Sequence, residues 1–422
     1  MNSIVLSTTI PAASSSNVAI TGAGFAPKAA VLLFGGQNQD GTGIGVANSV
    51  SFATSTAQAG ASFRNIAART TNVQSRSVLS SSVVHTVWNS TGTVLGQCAV
   101  ASFDSDGITL SIGTQFTVAA QVSVLLLGGS DLTASVGTFQ LPSATGSNTP
   151  VTGLTHTPNV VLVATANRGV TTLGTASNNI TGLSFGYATA SAQASVSVAP
   201  DASSTNAEAI ESWVATDAFI VNDSPVSGLQ ERATFTAFTS DGFTLNKTAN
   251  NGTAGGQVAY LALTVPAATA GTTSARTDTN TTTLTTTGVT PKALFMIARP
   301  PATAADSTAA TGTNDGQFNV GIASGASNRA SLSLQVLEVA AVPSGPTESF
   351  NRLPTDAIHA HYSRSALNTY TLDGSMDVQA FGSESITLMQ DDADTVASIL
   401  PYLVLGDTVS ASARFRPYFI TG

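Results

Sequence analysis

Charge is what this sequence has least of. Lys and Arg number 15 and Asp and Glu 24 in a chain of 422 residues, so charged side chains make up 9% of it, against about 25% in an ordinary soluble protein. Hydroxyls and small side chains must therefore coat most of the surface. The few basic residues are scattered and the net charge is −9, which argues against a nucleic-acid partner, because the phosphate backbone calls for clustered Lys and Arg. A membrane surface is disfavoured on the same ground. Cysteine is nearly missing: Cys98, in "GQCAVASF", is alone, which rules out an intrachain disulfide framework and reads as a small buried hydrophobe. No window reaches the roughly 20 apolar residues of a spanning helix. "MNSIVLSTTIPAASSS" has no basic n-region, so export by signal peptide is not expected and the chain should be soluble and made in a cytoplasm. Helical periodicity is scarce too, with at most a turn or two around "NAEAIESWVA".

What the chain has in quantity is itself. "VASFDSDGITL" from Val100, "FTAFTSDGFTL" from Phe235 and "VQAFGSESITL" from Val378 agree in their apolar positions and differ in their polar ones. "GFAPKAAVLLF" from Gly24, "LTHTPNVVLVA" from Leu154 and "GVTPKALFMIA" from Gly288 form a second set. "QVSVLLLGG" from Gln121, "QVAYLALTV" from Gln257 and "ILPYLVLGD" from Ile399 form a third. Three landmarks in one order at a spacing of about 130 to 140 residues make a triplicated domain.

Each landmark has the pattern of a strand. The apolar runs that follow Pro27, Pro158 and Pro291 suit strands buried on both faces. The repeated "SF…ITL" stretch alternates at period two around a turn, so it reads as a hairpin. Asp106-Gly107 and Asp241-Gly242 are expected to supply the positive-φ positions of a tight primed turn, and Glu384-Ser385 in the third copy predicts another turn type or a longer one. Six to eight strands per unit without βαβ alternation predict an all-β chain of three tandem antiparallel, jelly-roll-like β-sandwiches. The units are expected at 1–140, 141–268 and 269–407. "QLPSATGSNTP" and "VPAATAGTTSARTDTNTTT" would be linkers, the second long enough to add an edge strand or let modules swing. The tail, 408–422, gathers Arg414, Phe415, Arg416, Tyr418 and Phe419, residue types enriched at interface hot spots, and is expected to dock on a partner.

Residues able to carry chemistry are few. His359 and His361, two apart on a strand, share a face and would supply two metal ligands, an incomplete set to which neither Asp356 nor His85 can be assigned from sequence. A calcium loop at Asp104 and Asp106 is weakened by Thr239 in the second copy. Asp391, Asp392 and Asp394 read as a solvated loop. Glu208 and Glu211, three apart on a helix-like turn, lack the opposed geometry of a glycosidase pair. No nucleophile elbow, phosphate-cradling loop or zinc-finger spacing stands out, so no catalytic residue, metal or cofactor is expected.

The "GF-x-P-K" strand entry at Gly24 to Lys28, the "SF-x-SDG" hairpin at Ser102 to Leu110 and the closing strand at Val122 to Gly129, each with counterparts in the later units, resemble the β-sandwich modules of tailed-bacteriophage virion proteins. The resemblance covers nearly the whole chain except its tail. It implies a non-enzymatic virion surface protein, made in the host cytoplasm without a signal peptide, whose partners are capsid or other virion proteins, with further copies of itself as a possible homo-oligomer. A capsid decoration or cement role comes first. The alternative is a tail-fibre or receptor-binding protein that recognises host glycans, with Trp88, Trp213 and Tyr362 as candidate stacking rings.

Overall fold

A computed structural model describes all residues except 36–45, 66–74, 90–91, 167–171, 177–180, 201–209, 223–230, 251–254, 305–306, 309–314, 339–346, 367–368 and 410–422. The described residues contain strands and no helix. In the first unit β1 (Asn2–Ile10), β10 (Ala120–Gly128), β3 (Pro27–Gly35), β4 (Val46–Thr54), β5 (Gln58–Asn65) and β6 (Arg76–Ser80) lie side by side in that order. The facing sheet runs β2 (Val18–Thr21), β9 (Gly107–Thr114), β8 (Val94–Asp104), β7 (His85–Trp88).

The second unit repeats this order. Its large sheet is β11 (Thr133–Gln140), β20 (Gln257–Thr264), β13 (Val160–Thr165), β14 (Leu183–Thr189), β15 (Gln193–Pro200), β16 (Ile210–Ala215). Its small sheet is β12 (Asn148–Val151), β19 (Gly242–Asn250), β18 (Glu231–Thr239), β17 (Ile220–Asn222). The third unit places β21 (Ala267–Ser274), β31 (Ile399–Thr408), β23 (Val289–Ala298), β25 (Asp315–Gly325), β26 (Asn328–Glu338) and β27 (Thr347–Arg352) over β22 (Thr281–Thr285), β30 (Ser385–Asp392), β29 (Thr369–Phe381) and β28 (His359–Ala366). The chain is thus all-β, three tandem antiparallel sandwiches of one topology.

The first expected linker is a loop over 141–147 that runs between two strands of the second unit, and the second takes the edge-strand alternative. β11 pairs along its whole length with β20, so the first unit closes after β10, before Gln140. β21 pairs with β31 and β22 with β30. One strand crosses over: β24 (Ser307–Thr308), from the third unit, bonds to the free edge of β16 in the second. It covers an edge that would otherwise offer unpaired backbone groups. Of the "NAEAIESWVA" segment, Ile210–Ala215 is β16 where a helical turn was expected, with Glu211 buried; the rest, Glu208 included, lies outside the described residues.

The proline-led runs are buried on both faces because each large sheet sits between two cores. Along β3, Ala30, Leu32 and Phe34 point to the first unit's own small sheet, while Ala29, Val31 and Leu33 point the other way. β13 divides Val161 and Val163 from Val160, Leu162 and Ala164. β23 divides Leu294, Met296 and Ala298 from Ala293, Phe295 and Ile297. The second set from all three units forms one central cluster. Complete burial of a large apolar side chain stabilises by about 1.5–3 kcal/mol, so this cluster binds the units into one body. Modules that swing on linkers are ruled out.

The contacts between units are cyclic. The first strand of each unit touches the fourth strand of another: β1 with β25, β11 with β4, β21 with β14. The third strand of each touches a fifth: β3 with β26, β13 with β5, β23 with β15. One relation repeated three times closes a ring, which is a pseudo-threefold arrangement built from one chain. Polar bonds follow the seams. Ser77 Oγ donates to the Ala166 carbonyl (2.6 Å), Tyr187 hydroxyl to the Tyr402 carbonyl (2.9 Å), Asn351 Nδ2 to Asn48 Oδ1 (2.7 Å) and Ser3 Oγ to the Lys292 carbonyl (2.5 Å). The Met1 amino group pairs with Asp131 at 2.8 Å and Asp407 at 2.5 Å.

The repeated hairpin has a different logic from the expected primed turn. Asp104 pairs with Gly107 and Thr239 with Gly242, so Ser105-Asp106 and Ser240-Asp241 form the tips and glycine comes after them. Neither aspartate has a positive φ. Glycine is needed because the neighbouring edge strand comes close: a Cβ on Gly107 would lie 1.9 Å from the Ile20 carbonyl oxygen, and one on Gly242 1.8 Å from that of Val151. The third turn has the same length, with Gly382 donating to the Ser385 carbonyl. Its acidic side chain makes the equivalent bond. Asp106 Oδ1 accepts from Gly24 N (2.5 Å) and Glu384 Oε1 from Gly288 N (2.6 Å), both glycines at φ above +70°. The hairpin therefore clamps the entry of the buried third strand.

Candidate functional site

Between the two sheets of each unit lies a layer that is not apolar, and the fold places the same positions there three times. His85, Ile220 and His359 open the short strands β7, β17 and β28, each paired to the corresponding residue of the next strand, Cys98, Ala233 and Met376. Two residues on, Val87, Asn222 and His361 face Gly96, Glu231 and Gly374. Across from the His85 and His359 positions the large sheet presents Ser49 with Ser62, and Asn319 with Ser333.

Each unit fills this layer differently. In the first, His85 stacks between Phe34 (4.4 Å) and Phe116 (5.8 Å). Its Nδ1 lies 2.6 Å from Ser49 Oγ, which donates to Ser62 Oγ at 2.8 Å, so Nδ1 carries the proton. Burial pushes the imidazole down to about 3, and it stays neutral. Burial likewise pushes the Cys98 thiol up, as expected of an inert core cysteine. In the second unit Glu231 Oε1 receives Lys247 Nζ and Gly256 N, both at 3.0 Å, and Oε2 receives Asn222 Nδ2 at 3.0 Å. Lys247 also donates to the Pro142 carbonyl (2.8 Å), and both charged side chains are fully buried.

The third unit holds the densest group. His361 Nδ1 lies 2.7 Å from Asp394 Oδ1 and 3.4 Å from Asp373 Oδ2. His359 Nε2 lies 3.6 Å from Asp394 Oδ2, and its Nδ1 lies 3.3 Å from Asn319 Oδ1. Asn319 Nδ2 donates to Ser333 Oγ and the Ala360 carbonyl, so the amide oxygen is turned to the ring. Burial lowers His359 below the ordinary histidine value. Burial raises Asp394, but the two adjacent histidines outweigh that and hold it at about 2. Asp394 fits because its partner position is glycine: a Cβ on Gly374 would lie 2.5 Å from the Asp394 carboxyl carbon. In the first unit Phe116 fills the same space over Gly96 (2.3 Å).

Of the residues read from sequence, the structure joins His359 and His361 to Asp394, which is buried where a solvated loop was expected; Asp391 and Asp392 are exposed. Asp104 bonds Ser102 and Thr109 hydroxyls, at 2.8 Å each, and is occupied by its own hairpin. Trp88 and Tyr362 are buried and Trp213 is half-buried. Arg414, Phe415, Arg416, Tyr418 and Phe419 lie outside the described residues. Asp373, Asn319 and the Glu231–Lys247 pair were missed. Aligning the three units residue by residue would have pointed to Glu231, which shares a pair of columns with Asn222, His361 and Gly374; no such signal marks Asp373, Asn319 or Lys247. No protein-family model and no curated protein matches this sequence.

A shallow polar groove of about 310 Å³ runs along the seam of the first and third units, lined by Ser7, Thr9, Gln121, Ser123, Arg352 and Asp356. Its walls are hydroxyls and one residue of each charge, a surface for hydrogen-bonded contact.

Proposed function

We propose that this chain is a non-enzymatic structural protein of a tailed-bacteriophage virion surface, a decoration or cement component that stabilises the shell through protein–protein contacts. The observation that carries the reading is the closed ring of three repeated sandwiches on one shared core. Such a body presents each outer contact three times at related angles, which suits a threefold or quasi-threefold point of an icosahedral shell. Small contacts are sufficient when several engage together. The hydroxyl-rich surface and the seam groove supply them, and the Arg and aromatic tail from 408 to 422 adds a docking segment. The glycan-binding alternative loses support where its candidate rings, Trp88 and Tyr362, are spent in the core.

Two measurements test this. Quantitative mass spectrometry of particles that carry the chain should find it at on the order of hundreds of copies per virion; a count at or below a few dozen would move it to the tail. Removing 410–422, the part of the tail beyond β31 and its last bond, should leave a folded body that no longer attaches to shells. Full attachment of the truncated chain would refute the docking tail.

A further inference from the structure

The third unit's polar layer has an electrostatic defect that the other two lack. His359 is fully buried, and because its Nδ1 faces the Asn319 amide oxygen, Nδ1 holds the proton and Nε2 is left with a lone pair. That lone pair faces Asp394 Oδ2, and neither atom has a hydrogen-bond partner. Two buried acceptors 3.6 Å apart repel one another unless something positive sits between them. Asp373 and His361 complete the surroundings: one donor atom from each of His361, Asp373 and Asp394 can be chosen within 4.8 Å of one another, and His359 stands outside that set, reaching it through Asp394. A tetrahedral zinc ion with nitrogen and oxygen ligands near 2.1 Å keeps neighbouring donors roughly 3.4 Å apart. The separations of 3.4 Å (His361 to Asp373) and 3.6 Å (His359 to Asp394) match, and the 2.7 Å contact of His361 with Asp394 would open as the ion replaces its hydrogen.

We propose that His359 Nε2, His361 Nδ1 and the Asp373 and Asp394 carboxylates form a structural site for one zinc-class divalent cation. Imidazole pairs select this class over calcium or magnesium, which prefer all-oxygen sets. Part of the outer shell is in place: Asn319 on His359, and Thr395 Oγ1 donating to Asp373 at 2.8 Å. Asp373 is the most exposed of the four and marks the way in. The ion would tie β28, β29 and the β30–β31 connection.

The test uses the full chain, stripped with chelator and dialysed. Zinc titrated against a chromophoric chelator should bind at one ion per chain, and cobalt should give the visible absorption of a tetrahedral site that zinc then bleaches. Asp373→Asn, at the mouth, keeps the fold and should weaken zinc at least tenfold; His359→Gln with His361→Gln should abolish the cobalt spectrum. No zinc uptake by the unaltered chain, a preference for calcium, or undiminished affinity in Asp373→Asn would each overturn the proposal.

Discussion

The first and third units differ most where their folds agree best. Both open the last short strand of the small sheet with a histidine, His85 and His359, and both place glycine opposite the residue two further on, Gly96 and Gly374. The first unit lays Phe116 into the space above its glycine and closes the layer with a stack of rings. The third lays Asp394 there and recruits a second histidine. The second unit dispenses with the glycine and builds Glu231 and Lys247 into the position. The backbone constraint therefore fixes where a side chain must be supplied, and leaves its chemistry free. A ring that rests on a shared apolar centre tolerates that freedom, because each unit's inner layer contributes only part of the stability.

The largest effect should come from putting one unit's solution halfway into another. Lys247 occupies the position of Ile112, since each pairs with the residue opposite the strand opener, Ala233 and Cys98. Lys247→Ile would copy the first unit and leave the Glu231 carboxylate buried without its cation, a loss of about 3–5 kcal/mol in denaturant unfolding. Adding Glu231→Gly should recover part of it, because the uncompensated charge goes while the void over the new glycine stays unfilled. Equal stability of Lys247→Ile and the parent chain would mean that the pair is not the support the geometry implies.

Acid should separate the units next. His85 is held neutral down to about 3, against 6.5 when unfolded. The unfolded state therefore binds the proton first, so the stabilisation is complete above pH 6.5 and is lost as pH falls toward 3. The slope is about 1.4 kcal/mol per pH unit. His85→Ile, the second unit's residue, should be the weaker protein at pH 7, where Ser49 loses a partner. It should flatten the acid limb, so that the two stability curves converge by pH 4. Parallel limbs would show that His85 does not carry the acid sensitivity.

Much of this was legible in the residues. The triplication, the all-strand character and the double burial of "AAVLLF", "NVVLVA" and "ALFMIA" follow from spacing and hydropathy alone, because a run with no polar alternation has no face to give to water. The second core that buries the other face was not legible: Val31 and Leu32 are equally apolar, and only the packed structure shows that they serve different clusters. The second linker left two readings open, an added edge strand or a swinging connection, for a related reason. The small side chains of "AATAGTTS" read as loop composition, yet they fit an edge strand that needs only half-buried small side chains. Asp394 hid behind Asp391 and Asp392, since a run of acids reads as solvated, and only the absence of a side chain at Gly374 creates room for one of them indoors.

That reading can be sharpened at the two glycines. Gly96→Ala drives a methyl into the Phe116 ring and Gly374→Ala into the Asp394 carboxyl. Overpacking of this sort costs roughly 1–3 kcal/mol. The first change should act on thermal stability alone. The second should also displace Asp394 from both histidines, visible as a shift of the His359 and His361 ring resonances in NMR. Unmoved resonances would mean that Asp394 does not depend on the missing side chain.

The smallest expected effect probes the ring itself. Tyr187 lies at the position of Phe52 and Ile322, the residues that follow Ser51 and Gly321 on the fourth strands, and its hydroxyl is the only polar group among them. It is 1% exposed and donates to the Tyr402 carbonyl of the third unit. Tyr187→Phe keeps the ring in the central cluster and restores the first unit's residue. The Tyr402 carbonyl, in a strand bonded on both sides, loses one partner. A loss of about 1 kcal/mol follows from one neutral hydrogen bond, with a drop of a degree or two in the unfolding midpoint for a chain of this size. If the apolar centre holds the units together, the variant should unfold in the same single transition as the parent. A second transition would show that the seam between the second and third units hangs on that hydroxyl, and would reverse the ranking of central core over seam bonds.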